Sequence, residues 1–175
     1  MRSHPRSLIE WGILWAVLAG LIGVAESATP AYAHLLTPVT PVCIEQTSLS
    51  LGIPVLAIVG ILTVEQGRVG YATPDANGTW DYGPMQINTI WLPVLWDRFH
   101  LSRSLLEDQG CVNVLAGAWI LRHDWQRLGP QASIWQAIAR YHSDTPDIAK
   151  PYAWRVYRHL RAGIHLNQLL RHING

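Results

Sequence analysis

Acid–base chemistry in this sequence would turn on Glu65. It closes an apolar run, and no other carboxylate lies between Glu45 and Asp75. Ile58, Ile61 and Leu62 stand seven, four and three positions before it, so a helix places all four side chains on one face. Burial on such a face disfavours the charged carboxylate and raises its pKa. A raised carboxyl is what a general acid working near neutral pH requires. The bland reading leaves Glu65 frayed into solvent at the helix end. Downstream, Asp81 is a second carboxylate, and Met85, Gln86 and Asn88 join a soft apolar group to two amides. Amides both donate and accept, which suits sugar hydroxyls and acetamido groups.

These side chains need elements to hold them. Pro54 fits the first position of the helix carrying Glu65, and Gly67 is expected to end it in a left-handed cap. Asn77-Gly78 beside Thr79-Trp80-Asp81-Tyr82 predicts a β-hairpin, and Gly83 would let the backbone approach a ligand closely. Residues 34–40 read as an extended lead-in, and residues 42–51 as a first helix ending at Gly52. Short helices are expected at 91–99 and, capped by Ser102, through Asp108, with Gly110 as a break. Helical spacing then predicts 113–128, with Leu115, Ala118, Leu121 or Arg122, and Trp125 recurring. It also predicts 131–141, with Ile134, Ala137, Ile138 and Tyr141 on one face, and a last helix from Pro151 to Leu170. The class is mostly α with a small β-hairpin, without repeats or a second domain.

Residues 1–33 read as a signal peptide: Arg2 and Arg6, an apolar run from Trp11 to Ala25, then Ala31-Tyr32-Ala33. Cleavage after Ala33 leaves 175 − 33 = 142 residues, 34–175, enough for one sizeable core. An uncleaved membrane anchor is the alternative, and both readings imply export. The net charge of +1 lacks the basic excess that nucleic-acid binding calls for. Two cysteines in an exported chain, Cys43 and Cys111, suggest one disulfide; two buried thiols are the alternative. Nine tryptophans suit core packing for the most part, with sugar stacking as a second use. The histidines, including His159, His165 and His172, lack the paired spacing of a zinc site, so no metal is expected. Beyond Asp147 come Lys150, Arg155, Arg158, Arg161 and Arg171 and no acid. This is either a solvated face or a contact for anionic wall polymer, lipid headgroups or a partner protein.

The order of acid helix, hairpin and amide-rich return resembles the lysozyme superfamily, and most closely the lytic transglycosylase SLT domain. The matching motifs are Glu65-Gln66, Gly83-Pro84-Met85-Gln86-Ile87-Asn88, and Arg140-Tyr141-His142-Ser143 followed by Asp144-Thr145-Pro146. They resemble the small specialised members that accompany conjugation and secretion machines, over roughly residues 43–156. Gln66 stands where the family usually has Ser, and His142 where it has Asn. The resemblance implies a lysozyme-like α+β domain and a Cys43–Cys111 disulfide. It implies a cleft in which Tyr141 lies beside the acid and Met85, Gln86, Asn88, Tyr141, His142 and Ser143 meet substrate. It also implies an exported, periplasmic or wall-associated monomer without cofactor, acting on peptidoglycan glycan strands and serving a secretion or conjugation apparatus. Only the signal segment would meet a membrane.

In such an enzyme one carboxyl suffices. Glu65 would protonate the bond between N-acetylmuramic acid and N-acetylglucosamine, and the product would end in 1,6-anhydromuramic acid. Two other readings stand beside this one. Asp81, in an Asp-Tyr-Gly segment similar to that of c-type lysozymes, would make a hydrolase with two carboxylates. A wall-binding adaptor that cuts nothing is the third.

Overall fold

The computed structural model describes residues 35–175, so the signal segment expected at residues 1–33 lies outside the described residues. Thr37 pairs with Gln109 across an isolated bridge, and the chain then enters α1 (Pro41–Leu51). Thr40 caps α1 by accepting from the Cys43 N–H at 3.1 Å, with Pro41 as the first helical residue. Gly52, at φ 63°, ends it.

Helix α2 (Val55–Glu65) is the central element. Ala57 through Leu62 are all buried, so it is apolar on every side rather than amphipathic. Gly60 lets α7 (Pro146–Ala162) close on it, since a Cβ there would stand 2.8 Å from Val156 Cγ1. The left-handed cap falls on Gln66, at φ 52°, and not on Gly67 as expected. Gly67 is needed for a different reason: a Cβ would collide with the Gly83 carbonyl oxygen and the Gln86 side chain.

The expected hairpin is a three-stranded antiparallel meander of β1 (Ala72–Pro74), β2 (Trp80–Tyr82) and β3 (Ile87–Asn88). Thr73 faces Asp81, and Asp81 faces Asn88. The loop between β1 and β2 closes through Asp75 N–H to Thr79 carbonyl and Gly78 N–H to Asp75 carbonyl, with Gly78 at φ 86°. A 3₁₀ turn at Thr89–Trp91 leads to α3 (Leu92–Phe99) and α4 (Arg103–Asp108).

Helix α5 (Gly110–Leu128) begins three residues earlier than its spacing predicts. Helix α4 ends at Asp108, as expected before the break at Gly110, and Gly110 is itself the first residue of α5. It opens the helix at a point where a Cβ would press on the backbone of residues 37–39. Val114, Ala116, Gly117, Ala118, Ile120 and Leu121 face the core, while Leu115 is exposed. The Cys43–Cys111 disulfide joins α1 to α5, with Cα atoms 5.8 Å apart.

Ser133 caps α6 (Ile134–His142) by accepting from the Gln136 N–H. Helix α7 starts at Pro146, not Pro151, and carries Pro151 inside it on an exposed position. There the missing N–H leaves one carbonyl without its helical partner. Gly163 separates α7 from α8 (Leu166–Asn174), so the single last helix expected is two. Asn174 exchanges two hydrogen bonds with the backbone of Val39, clasping the C-terminal helix to the lead-in. No described helix is long and apolar enough to cross a membrane.

None of the seven described tryptophans is fully buried. Trp80, Trp96, Trp135 and Trp154 are exposed, while Trp91, Trp119 and Trp125 pack against the edge of the core. The core is aliphatic instead, with Ile44, Ile58, Ile61, Leu62, Met85, Leu106 and Leu121 among its fully buried side chains.

Candidate active site

The end of α2, the sheet and the end of α6 enclose a cleft of about 290 Å³. Glu65, Asp81, Gln86, Asn88, Tyr141 and His142 all line it. Six of the residues singled out from the sequence therefore come together from three separate parts of the chain.

Glu65 is half-buried in this cleft. Burial is the main reason its pKa is pushed up to about 7. A hydrogen bond from Tyr152 and the positive charge of Arg155 oppose the rise, and the neighbouring Asp81 adds to it. The Tyr152 hydroxyl donates to Glu65 Oε1 at 2.6 Å. With Oε1 engaged as acceptor, Oε2 is the oxygen left to carry the exchangeable proton.

Tyr152 went unnoticed in the sequence. It is 2% exposed and its own pKa is raised well above that of a free tyrosine, chiefly by burial. It therefore stays protonated and keeps donating. The available signal was the spacing Ala149, Tyr152, Val156, the buried face of α7. Starting that helix at Pro151 hid the pattern.

Tyr141 donates its hydroxyl to the Met85 carbonyl at 2.8 Å, fixing the return after β2 against α6. Burial raises its pKa, so it too stays protonated. The Met85 side chain is fully buried, and its N–H donates to Asn113 Oδ1 at 2.8 Å. Met85 is therefore a core side chain that does not line the cleft and is closed off from ligand, contrary to the expected substrate contact. Gly117 makes room for it, since a Cβ there would stand 2.6 Å from the Met85 sulfur.

Gln86 sits at φ 50°, in the left-handed region, and its Nε2 donates to the Gly83 carbonyl at 2.9 Å. Among the described residues its Oε1 has no hydrogen-bond partner, and this end of the amide can accept from a ligand. Asn88 lines the cleft but is engaged within its own loop. Its Nδ2 donates to Asp81 Oδ1 and Thr79 Oγ1, and its Oδ1 accepts from the Ile90 N–H. Asp81 has a raised pKa, from burial first, with the Asn88 bond opposing.

His142 stacks on the Tyr152 ring, centroids 4.5 Å apart and planes 6° from parallel. Burial and the charge of Arg155 lower its pKa, against a weaker opposite pull from Asp81 and Asp75. The imidazole is therefore neutral at pH 7. Ser143 lies past the end of α6, where its Oγ accepts from the Thr145 N–H at 3.1 Å and shapes the step into α7. It is not among the residues that line the cleft. Among the described residues no group of three or more His, Cys, Asp or Glu is placed to hold a metal ion.

Together these groups present a carboxyl that is protonated in large fraction at neutral pH, a second carboxyl held by an amide, and an amide oxygen open to ligand. Such a set can protonate a leaving oxygen in a polar, oxygen-rich substrate. No family model matches this chain, and no curated protein matches it.

Proposed function

We propose that this chain is a peptidoglycan lytic transglycosylase with a lysozyme-like fold, exported to the periplasm or cell wall. One observation carries the reading: Glu65 sits in a cleft, half-buried, with a pKa of about 7. At neutral pH a large fraction of it is protonated, whereas a carboxyl with the ordinary pKa of 4.5 is almost wholly ionised.

Glu65 protonates the glycosidic oxygen between N-acetylmuramic acid and N-acetylglucosamine as the bond to the muramoyl C1 breaks. The substrate's own 2-acetamido carbonyl stabilises the positive charge that develops at C1. Glu65, now a carboxylate held at Oε1 by Tyr152, takes the proton of the muramoyl C6 hydroxyl. The C6 oxygen then closes on C1, giving a 1,6-anhydro end. The proton returns to Glu65, and no water is consumed. Local opening of the wall for a conjugation or secretion apparatus is the proposed use.

Glu65→Gln keeps the shape and the Oε1 acceptor but removes the acid. It is expected to lose nearly all cleavage in a peptidoglycan zymogram while still binding glycan. Activity close to wild type would remove Glu65 from the mechanism.

Asp81 favours a second reading, hydrolysis with two carboxylates, because it lines the same cleft and acts electrostatically on Glu65. A hydrolase needs Asp81 ionised opposite the acid. On the transglycosylase reading Asp81 only shapes the sheet through Asn88, and Asp81→Asn keeps much of that geometry. A substantial fraction of the rate is then expected to survive in Asp81→Asn. Collapse of the rate in a variant with unchanged melting would favour hydrolysis.

A further inference from the structure

Next to the cleft lies a second hollow, of about 280 Å³, that the mechanism above does not use. Its walls are His142, Ile148, Pro151, Tyr152, Arg155 and Arg158. Two features tie it to the acid. His142 borders both the cleft and this hollow, and Tyr152, part of its wall, donates directly to Glu65.

The charge of the hollow is one-sided. Arg155 and Arg158 line it, and no carboxylate does. Among the described residues neither arginine forms an ion pair; the pairs present join Arg103 to Glu107, and Arg140 to Asp124 and Asp144. Arg155 lies over the Tyr152 ring at 5.3 Å from its centroid, which holds the guanidinium at the wall. Beyond Asp147 the sequence carries no acidic side chain, and the carboxyl on which Arg155 acts is Glu65 itself. His142 supplies a ring wall here and no charge, being neutral at pH 7. The sheet side of the cleft is opposite in sign, with Asp75 and Asp81. Carboxylates thus stand on one side of the cleft, and the guanidinium groups in the hollow that adjoins it at His142.

We propose that this hollow is a subsite for a carboxylate carried by the sugar strand, bound by Arg155 and Arg158. The inference rests on the glycan reading above. A guanidinium fork pairs with a carboxylate through two parallel hydrogen bonds, so the site selects for planar anions as well as for charge. Two carboxylates on a muramoyl strand meet this description: the lactyl carboxylate exposed when the peptide is removed, and those of the stem peptide. A site of this kind makes the enzyme read the acid-bearing sugar of the alternating strand, setting the register in which the glycosidic bond meets Glu65.

The test is a binding titration in the Glu65→Gln background, where turnover does not interfere, against three ligands. These are glycan strands with stem peptides, the same strands stripped by an amidase, and neutral N-acetylglucosamine oligomers of equal length. The expected result is binding of the strands about tenfold tighter than the neutral oligomers, weakening as salt rises. That preference should fall to near unity in Glu65→Gln/Arg155→Gln/Arg158→Gln. Both arginines are exposed, so the triple variant should fold, and its melting temperature checks this. A preference confined to peptide-bearing strands assigns the site to the stem. One confined to stripped strands, where the lactyl carboxylate is free, assigns it to the lactyl group, and one shared by both shows that the arginines take either carboxylate. Equal binding of all three ligands, unchanged by the arginine substitutions, overturns the subsite and leaves the glycan reading standing. Binding of none overturns both.

Discussion

At the scale of the residue, the balance at Glu65 decides what the cleft can do. Burial alone would push the carboxyl higher; the Tyr152 hydrogen bond and Arg155 pull it back to about 7. An acid with this pKa is protonated below neutrality, so activity should fall as pH rises through about 7. Tyr152→Phe tests the balance. It keeps the ring under His142 and Arg155 but removes the donor to Oε1. Losing a bond that favours the charged form raises the pKa. The alkaline limb of kcat/KM should therefore move to higher pH in Tyr152→Phe, and a limb that stays in place would mean that the bond does not tune the acid.

At the scale of the element, one buried amide holds the cleft in register. Asn113, on α5, accepts from the Met85 N–H and donates to the carbonyls of Tyr82 and Leu106. It is completely buried and every polar hydrogen of its amide is used. Gly83 packs against it at φ 64°, where a Cβ would stand 2.5 Å from Asn113 Nδ2. Asn113→Ala strands three backbone groups away from water, a cost of about 3 kcal/mol. A fall in melting temperature of roughly 10 °C is expected, and a change of only a degree or two would show that water fills the gap.

Periodicity read the acid helix correctly, because burial on every side still leaves Ile58, Ile61 and Leu62 beside Glu65. Turn chemistry located the sheet but not its third strand, since Ile87–Asn88 is too short to alternate. Proline misled in α7. Pro151 looks like a helix start, yet it is accommodated mid-helix on an exposed face, and the true start at Pro146 was masked by it. Met85 and Asn88 were legible as neighbours of the cleft. Their actual work, core packing and a brace for Asp81, depends on contacts 28 positions away for Met85 and across the sheet for Asn88. No local pattern carries that information.

At the scale of the whole molecule, the disulfide and the C-terminal clasp keep both ends of the described chain in place. The Cys43–Cys111 bond closes 68 positions and is worth about 4 kcal/mol in the chain-entropy model. Asn174 ties α8 to Val39, and Val69 donates to the Ile173 carbonyl, so the C-terminal helix supports the loop leaving Glu65. The result is a buried acid helix with a sheet and an arginine-bearing helix near its end. In the proposed function this arrangement cleaves glycan by internal attack. Mass spectrometry of peptidoglycan digested by the wild-type protein tests it most directly. Muropeptides ending in 1,6-anhydromuramic acid, lighter than their hydrolysed counterparts by one water, are expected. Reducing ends in their place would contradict it and make the protein a hydrolase; undigested wall would make it no glycan-cleaving enzyme at all.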